Sequence, residues 1–251
     1  MHLERQGALA LLRMNAGKAN AINPRFLDLL GELLDELSAA PPGALVLTGD
    51  GRAFSAGLDL PALVDLGTGE LTAFIRRFVD TMVRIFTLPW PVVAAVNGHA
   101  VAGGCVLALQ ADQRVMASGQ GRIGLNEVSL GIGLPVSVVE TLRFQLPASS
   151  LFPVAAEGGL FLPEEALRLG LVHEVADPGR LLELALQRAR HLSELPPLAF
   201  AQVKASLRRP VLASITEAGA ATDAASWVAT FHSPRAQRLL RDAVARLTKK
   251  A

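Results

Sequence analysis

The sequence predicts an α/β fold in two parts, a largely parallel sheet followed by a helical region. Two observations carry this prediction. Short apolar runs alternate with segments of helical period up to about residue 120, as strand–helix–strand units require. Beyond Pro135, helical patterns succeed one another with only one short apolar run among them.

The elements follow in chain order. LALLRM (9–14) is a short apolar run and reads as the first strand. Asn23 and Pro24 supply a helix N-cap and first position, and FLDLLGELLDEL continues with apolar residues at helical spacing. ALVLTG (44–49) is the second strand, and residues 70–88 form the second amphipathic helix. VVAAV (92–96) and RVMAS (114–118) are strands on either side of a short apolar helix at 103–110. Helices are then predicted in PVSVVETLRFQL, PEEALRLG, GRLLELALQRARHL, PLAFAQVKASLRR and PRAQRLLRDAVARLTKK, with LVHEV (171–175) a strand among them. No repeat or Gly/Ser linker divides the chain, so residues 1–195 are read as a core domain and 196–251 as its C-terminal helical region.

Composition excludes several classes of function. Hydrophobic residues make up 51% of the 251 and charged residues 19%, which fits a chain with a large core and not a disordered one. Lys and Arg number 24 against 23 Asp and Glu, so no global charge draws the protein to nucleic acid or an anionic membrane. Cys105 is the one cysteine, which suits a reducing compartment, and the charged residues Glu4, Arg5 and Arg13 do not fit a signal peptide. A cytoplasmic location is the expectation. The uncharged stretch 85–111 is long enough to cross a bilayer, but Pro89, Pro91, Gly98, Gly103 and Gly104 divide it into pieces that read as buried core.

Common motifs fail. Gly131 and Gly133 lack the third glycine of a dinucleotide loop, Gly17-Lys18 lacks the rest of a phosphate loop, and no serine sits in a nucleophile elbow. The histidines, His2, His99, His173, His191 and His232, show no ligand spacing, so no metal is expected.

Two glycine-bearing loops remain, each directly after an apolar strand. GDGRAFSAGLDL (49–60) has small residues that let a ligand approach the backbone, and NGHAVAGGCVLAL (97–109) opens a helix whose first N–H groups lack intrahelical partners. Such loops can converge into an oxyanion hole, or serve close packing alone. One further feature stands out: from Ile123 to Val139 the only charged residue is Glu127. A lone carboxylate there either turns to solvent or is held in an apolar pocket.

FSAGLDL, AAVNGHAVAGGCVLALQAD and GLNEVSLGI, followed by EEALRLGLVHEV, stand in an order and spacing that resemble the enoyl-CoA hydratase/isomerase (crotonase) superfamily over essentially the whole chain. The resemblance implies a spiral of ββα units with a C-terminal helical extension, assembled as a homotrimer or a dimer of trimers through its last helices. It implies an acyl-CoA thioester as substrate, with coenzyme A entering only as part of it and no separate cofactor. The backbone N–H groups of Leu58 and Gly103 would stabilise an enolate. Ala56, Gly57, Leu58, Asp59 and Leu60 match the CoA-binding turn, and Lys18 and Ala19 fall in the early loop beside it.

Hydratases of this superfamily use two glutamates to activate water. Glu127 matches the second, and Val106 stands where the first belongs. One carboxylate beside an enolate site suits moving a double bond from C3 to C2, with Glu127 carrying the proton. The resemblance is therefore to the Δ3,Δ2-enoyl-CoA isomerase branch. The rivals are hydration or another crotonase reaction, and an acyl-CoA-binding protein without catalysis. His99 and Cys105 read as packing or loop residues. The basic last helix, Arg235 to Lys250, reads as a solvated face or as charge offered to CoA phosphates.

Overall fold

The apolar runs pair into a six-stranded sheet in a computed structural model, which describes residues 1–249 apart from the side chains of Lys18, Thr248 and Lys249. The first half comprises β1 (His2–Gln6), β2 (Leu9–Met14), α1 (Pro24–Ala39), β3 (Ala44–Gly49), β4 (Ala53–Ser55), α2 (Leu60–Leu63) and α3 (Thr68–Phe86). There follow β5 (Val92–Val96), β6 (His99–Val101), α4 (Gly103–Leu109), β7 (Gln113–Ala117) and β8 (Ile123–Gly124). Then come α5 (Val136–Gln145), α6 (Ala148–Ala155), β9 (Leu160–Phe161), α7 (Pro163–Arg168), β10 (Glu174–Ala176) and α8 (Leu181–Ser193). The last helices are α9 (Pro197–Ala218), α10 (Ala220–Phe231) and α11 (Pro234–Lys249).

The large sheet has the order β1-β2-β3-β5-β7-β10, parallel except for the β1–β2 pair. The second sheet, β4-β6-β8-β9, is parallel up to β8. Each pair β3/β4, β5/β6 and β7/β8 therefore places one strand in each sheet, the ββα spiral expected. Alternate residues of the large sheet enter different cores. Leu12, Leu47 and Ala94 join α1 and α3 on one face, while Leu11, Val46 and Val93 meet Leu181, Ala185 and Ala189 of α8 on the other. Burial on both faces explains why these strands are apolar throughout.

α9 is fastened to this core by charge. Asp112 accepts from Lys204 Nζ at 2.7 Å and from Arg208 Nη2 at 2.6 Å, and its Oδ2 also accepts from Val92 N at 2.8 Å. Lys204 donates to the Trp90 carbonyl as well, and Arg208 to that of Phe86 at the end of α3.

Several elements differ from the sequence prediction. β1 escaped detection because HLERQ is a polar edge strand with no apolar run. The run LVHEV does not pair along its length: Leu171 and Val172 are buried in the turn, and the strand begins at Glu174. α10 follows Gly219, whose φ of 73° ends α9, and its composition is too uniformly apolar and small to show a period. Among the described residues no helix is long and apolar enough to cross a membrane.

Candidate active site

The first predicted loop is held by its own backbone. Ser55 Oγ donates to the Asn20 carbonyl at 2.8 Å and accepts from Gly57 N at 3.2 Å. Ala56 N donates to Ala19 O, Ile22 N to Gly57 O, and Asp59 N to Ile22 O. Along the turn 56–59, every amide but one is engaged, and Leu58 N has no acceptor among the described residues. Asn20 secures the same turn from beneath, its Nδ2 donating to Phe54 O at 3.1 Å and its Oδ1 accepting from Ala16 N at 2.9 Å.

The second loop brings a second free amide to the same place. Ala102 takes φ 52°, a left-handed value that side chains rarely adopt, and its N–H donates to Gly124 O. That turn starts α4 at Gly103, whose N–H likewise has no acceptor among the described residues. A Cβ at Gly103 would lie 3.5 Å from Leu58 N, so the two amides border one space. Gly57 is required twice over: its φ is 84°, and a Cβ there would lie 2.5 Å from Val101 O.

Glu127 completes the arrangement. Its carbonyl accepts from both Leu130 N and Ile132 N, pinning the backbone of the turn after β8. C-terminal helices hold the rest of that loop: Gly133 N donates to Thr230 Oγ1 at 2.9 Å, Val136 N to the Asp223 carboxylate, and Gly131 packs on Ala236. The glutamate is 8% exposed and its Oε2 has no hydrogen-bond partner. Burial pushes its carboxyl up to about 7, against a smaller opposing effect of its own backbone N–H.

Two cavities meet at this residue. A small chamber of about 20 Å³ is bounded by Leu58, Gly103, Val106 and Glu127, with Phe78 and Trp227 among its other walls. A groove of about 400 Å³ leads up to it, lined by Ala56, Leu58, Leu60, Asn126, Glu127 and Arg246. Val106, only 3% exposed, faces the chamber one turn of α4 beyond Gly103.

The predicted site residues separate into groups. Leu58, Gly103 and Glu127 come together, and Ala56 and Leu60 line the groove. Gly57 instead faces Val101 and Ala102, and the Asp59 carboxylate accepts from Asn23 Nδ2 at 2.9 Å. Ala19 supports Ala56 through its carbonyl, while the side chain of Lys18 lies outside the described residues. His99 is exposed on β6, where its Nδ1 accepts from Arg122 N. Cys105 is fully buried, and burial first, the Glu127 charge second, push its thiol up, so it is inert. Of the last helix's cations, Arg241 pairs with Asp65 at 2.9 Å, Arg246 lines the groove, and Lys250 lies outside the described residues.

Sequence reasoning missed Asn20, Asn126, Phe78 and Trp227, and it read Ser55 only as a small residue of its loop. Asn20, Phe78 and Trp227 meet the two loops and Glu127 only across long separations in the chain, which no local pattern marks. The C-terminal region, expected to mediate assembly and through its basic last helix to offer charge to CoA phosphates, enters the site of its own chain through Trp227, Arg246 and the loop contacts of α10 and α11.

The description "Enoyl-CoA hydratase/isomerase" belongs to the family model that matches residues 4–243. The chain belongs to the enoyl-CoA hydratase/isomerase family. It is 37% identical to a putative enoyl-CoA hydratase of Thermus thermophilus, across 79% of this chain and 80% of that protein. It is 35% identical to a carnitinyl-CoA dehydratase of Salmonella typhi, across 81% and 78%. The crystal structure of human mitochondrial Δ3-Δ2-enoyl-CoA isomerase superposes with a TM-score of 0.94 at 27% identity, covering 99% of this chain and 98% of that one. As a member of the enoyl-CoA hydratase/isomerase family the protein is an enzyme of crotonase type, and an acyl-CoA substrate agrees with a groove ending at two free amides and a buried carboxylate.

Proposed function

We propose that the enzyme is a Δ3,Δ2-enoyl-CoA isomerase in which Glu127 carries the proton. The observation that supports this reading is the pairing of one partnerless carboxylate with Val106 in an apolar chamber. Water activation between two carboxylates has no second group there among the described residues, whereas a proton shuttle needs one.

The thioester carbonyl oxygen takes the space between Leu58 N and Gly103 N. The Glu127 carboxylate removes a proton from C2, and the electron pair of that C–H bond moves into a dienolate whose oxygen accepts from both amides. Glu127 then gives the proton to C4, a new C–H bond forms, and the double bond is left at C2. No electrons are gained or lost, so no redox cofactor is required and coenzyme A serves only as the substrate's handle. Each amide contributes about 3 kcal/mol to the transition state, and the positioned base about 10²- to 10⁴-fold in rate. A carboxyl held near 7 is better matched to a weakly acidic C–H than an ordinary one.

The test offers 3-enoyl-CoA and 2-enoyl-CoA in parallel. The wild type is expected to convert the first to the second without forming 3-hydroxyacyl-CoA, and Glu127→Gln to lose at least 10²-fold in kcat. Steady formation of 3-hydroxyacyl-CoA would instead favour hydration, the activity for which two of the relatives are named. Binding without turnover of either would favour an acyl-CoA carrier. Assembly as a trimer or dimer of trimers belongs to the same proposal, supported by Leu198, Val203 and Leu207 standing exposed along α9; sedimentation tests it. A cytoplasmic setting is proposed with it, on the single reduced cysteine.

A further inference from the structure

Behind the reaction chamber lies a third cavity, of about 110 Å³, bounded by Val79 and Val83 of α3, Ile215 of α9 and Ala224 of α10. Only two residues, Ile75 and Pro135, line both this cavity and the chamber. Pro135 has no freedom to yield, because its ring fixes φ and the next amide, Val136 N, is held by both oxygens of Asp223 at 3.0 and 3.1 Å. Ile75 is an aliphatic side chain on α3, 2% exposed, and it is the removable part of the partition.

We propose that Ile75 is the floor of the acyl pocket and restricts this enzyme to short acyl chains. The inference rests on the acyl-CoA reading of the site and adds the substrate's length to it. The chamber of about 20 Å³ has room for about one water-sized group. Once C2 to C4 lie beside Glu127, little space remains for the rest of a chain. Phe78 and Trp227, both nearly fully buried, close the sides. Trimming Ile75 joins the chamber of about 20 Å³ to the cavity of about 110 Å³ behind it and adds the space the side chain leaves, which opens a path between α3 and α10. Its lining combines the apolar Val79, Val83, Ile215 and Ala224 with Arg76, Asp80 and Asp223.

Burial of one methylene corresponds to about a 4-fold gain in affinity. The experiment titrates butanoyl-, hexanoyl- and decanoyl-CoA into the full chain by calorimetry, and follows turnover of the C6 and C10 3-enoyl-CoAs. In the wild type, affinity is expected to stop rising beyond hexanoyl-CoA, and the C10 substrate to react at least 10-fold more slowly than the C6. Ile75→Ala is expected to raise the decanoyl-to-butanoyl affinity ratio at least 10-fold, and the milder Ile75→Val to raise it less. Thermal melting identifies a variant that has failed to fold, and the wild-type series tests the floor without any variant. A wild type that gains about 4-fold per methylene through decanoyl-CoA overturns the proposal, as does a folded Ile75→Ala with an unchanged ratio, or absence of acyl-CoA binding. Discrimination by length in binding without isomerisation leaves the floor standing and removes the isomerase reading alone.

Discussion

Glu127 and Asp112 are carboxylates in the same core, and they are treated in opposite ways. Asp112 accepts from Lys204, Arg208 and Val92 N, and those bonds tie α9 to β5, while Arg208 also donates to the Phe86 carbonyl of α3. Glu127 is buried among apolar side chains with one oxygen facing no donor. A satisfied buried charge holds a fold together; an unsatisfied one raises the free energy of the native state and persists where it has chemistry to perform. The cations around Asp112 carry a cost of their own: desolvation first, with Arg208's charge adding to it and Asp112 opposing, draws Lys204 down to about 8.

Breaking the partnered carboxylate should have the largest effect. Asp112→Ala leaves two buried cations without a counter-charge and is expected to destabilise the protein by about 3–5 kcal/mol, on the order of 10 °C in Tm. Calorimetric melting measures this. Activity per folded molecule should change little, because Asp112 touches neither the chamber nor the groove.

Removing the unpartnered charge should act in the other direction on stability. Glu127's carboxyl rises from 4.5 to about 7 on folding, so the protonated form is the favoured native one. Its contribution is fully present below pH 4.5 and is lost as pH rises through about 7. Glu127→Gln does not titrate, and at pH 8 it should be more stable than the wild type by about 3 kcal/mol. Urea denaturation at a series of pH values should show this advantage shrinking to nothing by about pH 4.5. The same titration should make wild-type kcat/KM rise with pH through about 7, where the base of the free enzyme becomes ionised.

A smaller effect probes how the carboxylate is held. Thr230→Val removes the acceptor for Gly133 N and should cost about 1 kcal/mol. Faster hydrogen exchange at the Gly133 amide, together with a several-fold fall in kcat, would tie α10 to the precision of the Glu127 loop.

The match between sequence and structure follows the range of the forces involved. β3 and β5 were read to the residue, because a run of buried side chains on both faces leaves a continuous apolar signal. α1 was bounded by Asn23, whose side chain does accept from Phe26 N. The three-residue strands β4 and β6 left no such signal, and their pairing depends on the larger sheet bringing the chain back. Glu127 is conspicuous because fifteen or so uncharged neighbours surround it, and Val106 because the resemblance to the family implies a carboxylate at its position.

The apolar strands, the main amphipathic helices, the two glycine loops and the isolation of Glu127 are all legible in residues near one another along the chain. That the Leu58 and Gly103 amides have no acceptor among the described residues, that Asn20 and Ser55 brace the first of these loops, and that α10 and α11 fold over the site of their own chain emerges from the three-dimensional packing. Those outcomes come from packing between segments as much as a hundred residues apart, where the geometry of burial selects the neighbours and no local pattern records them.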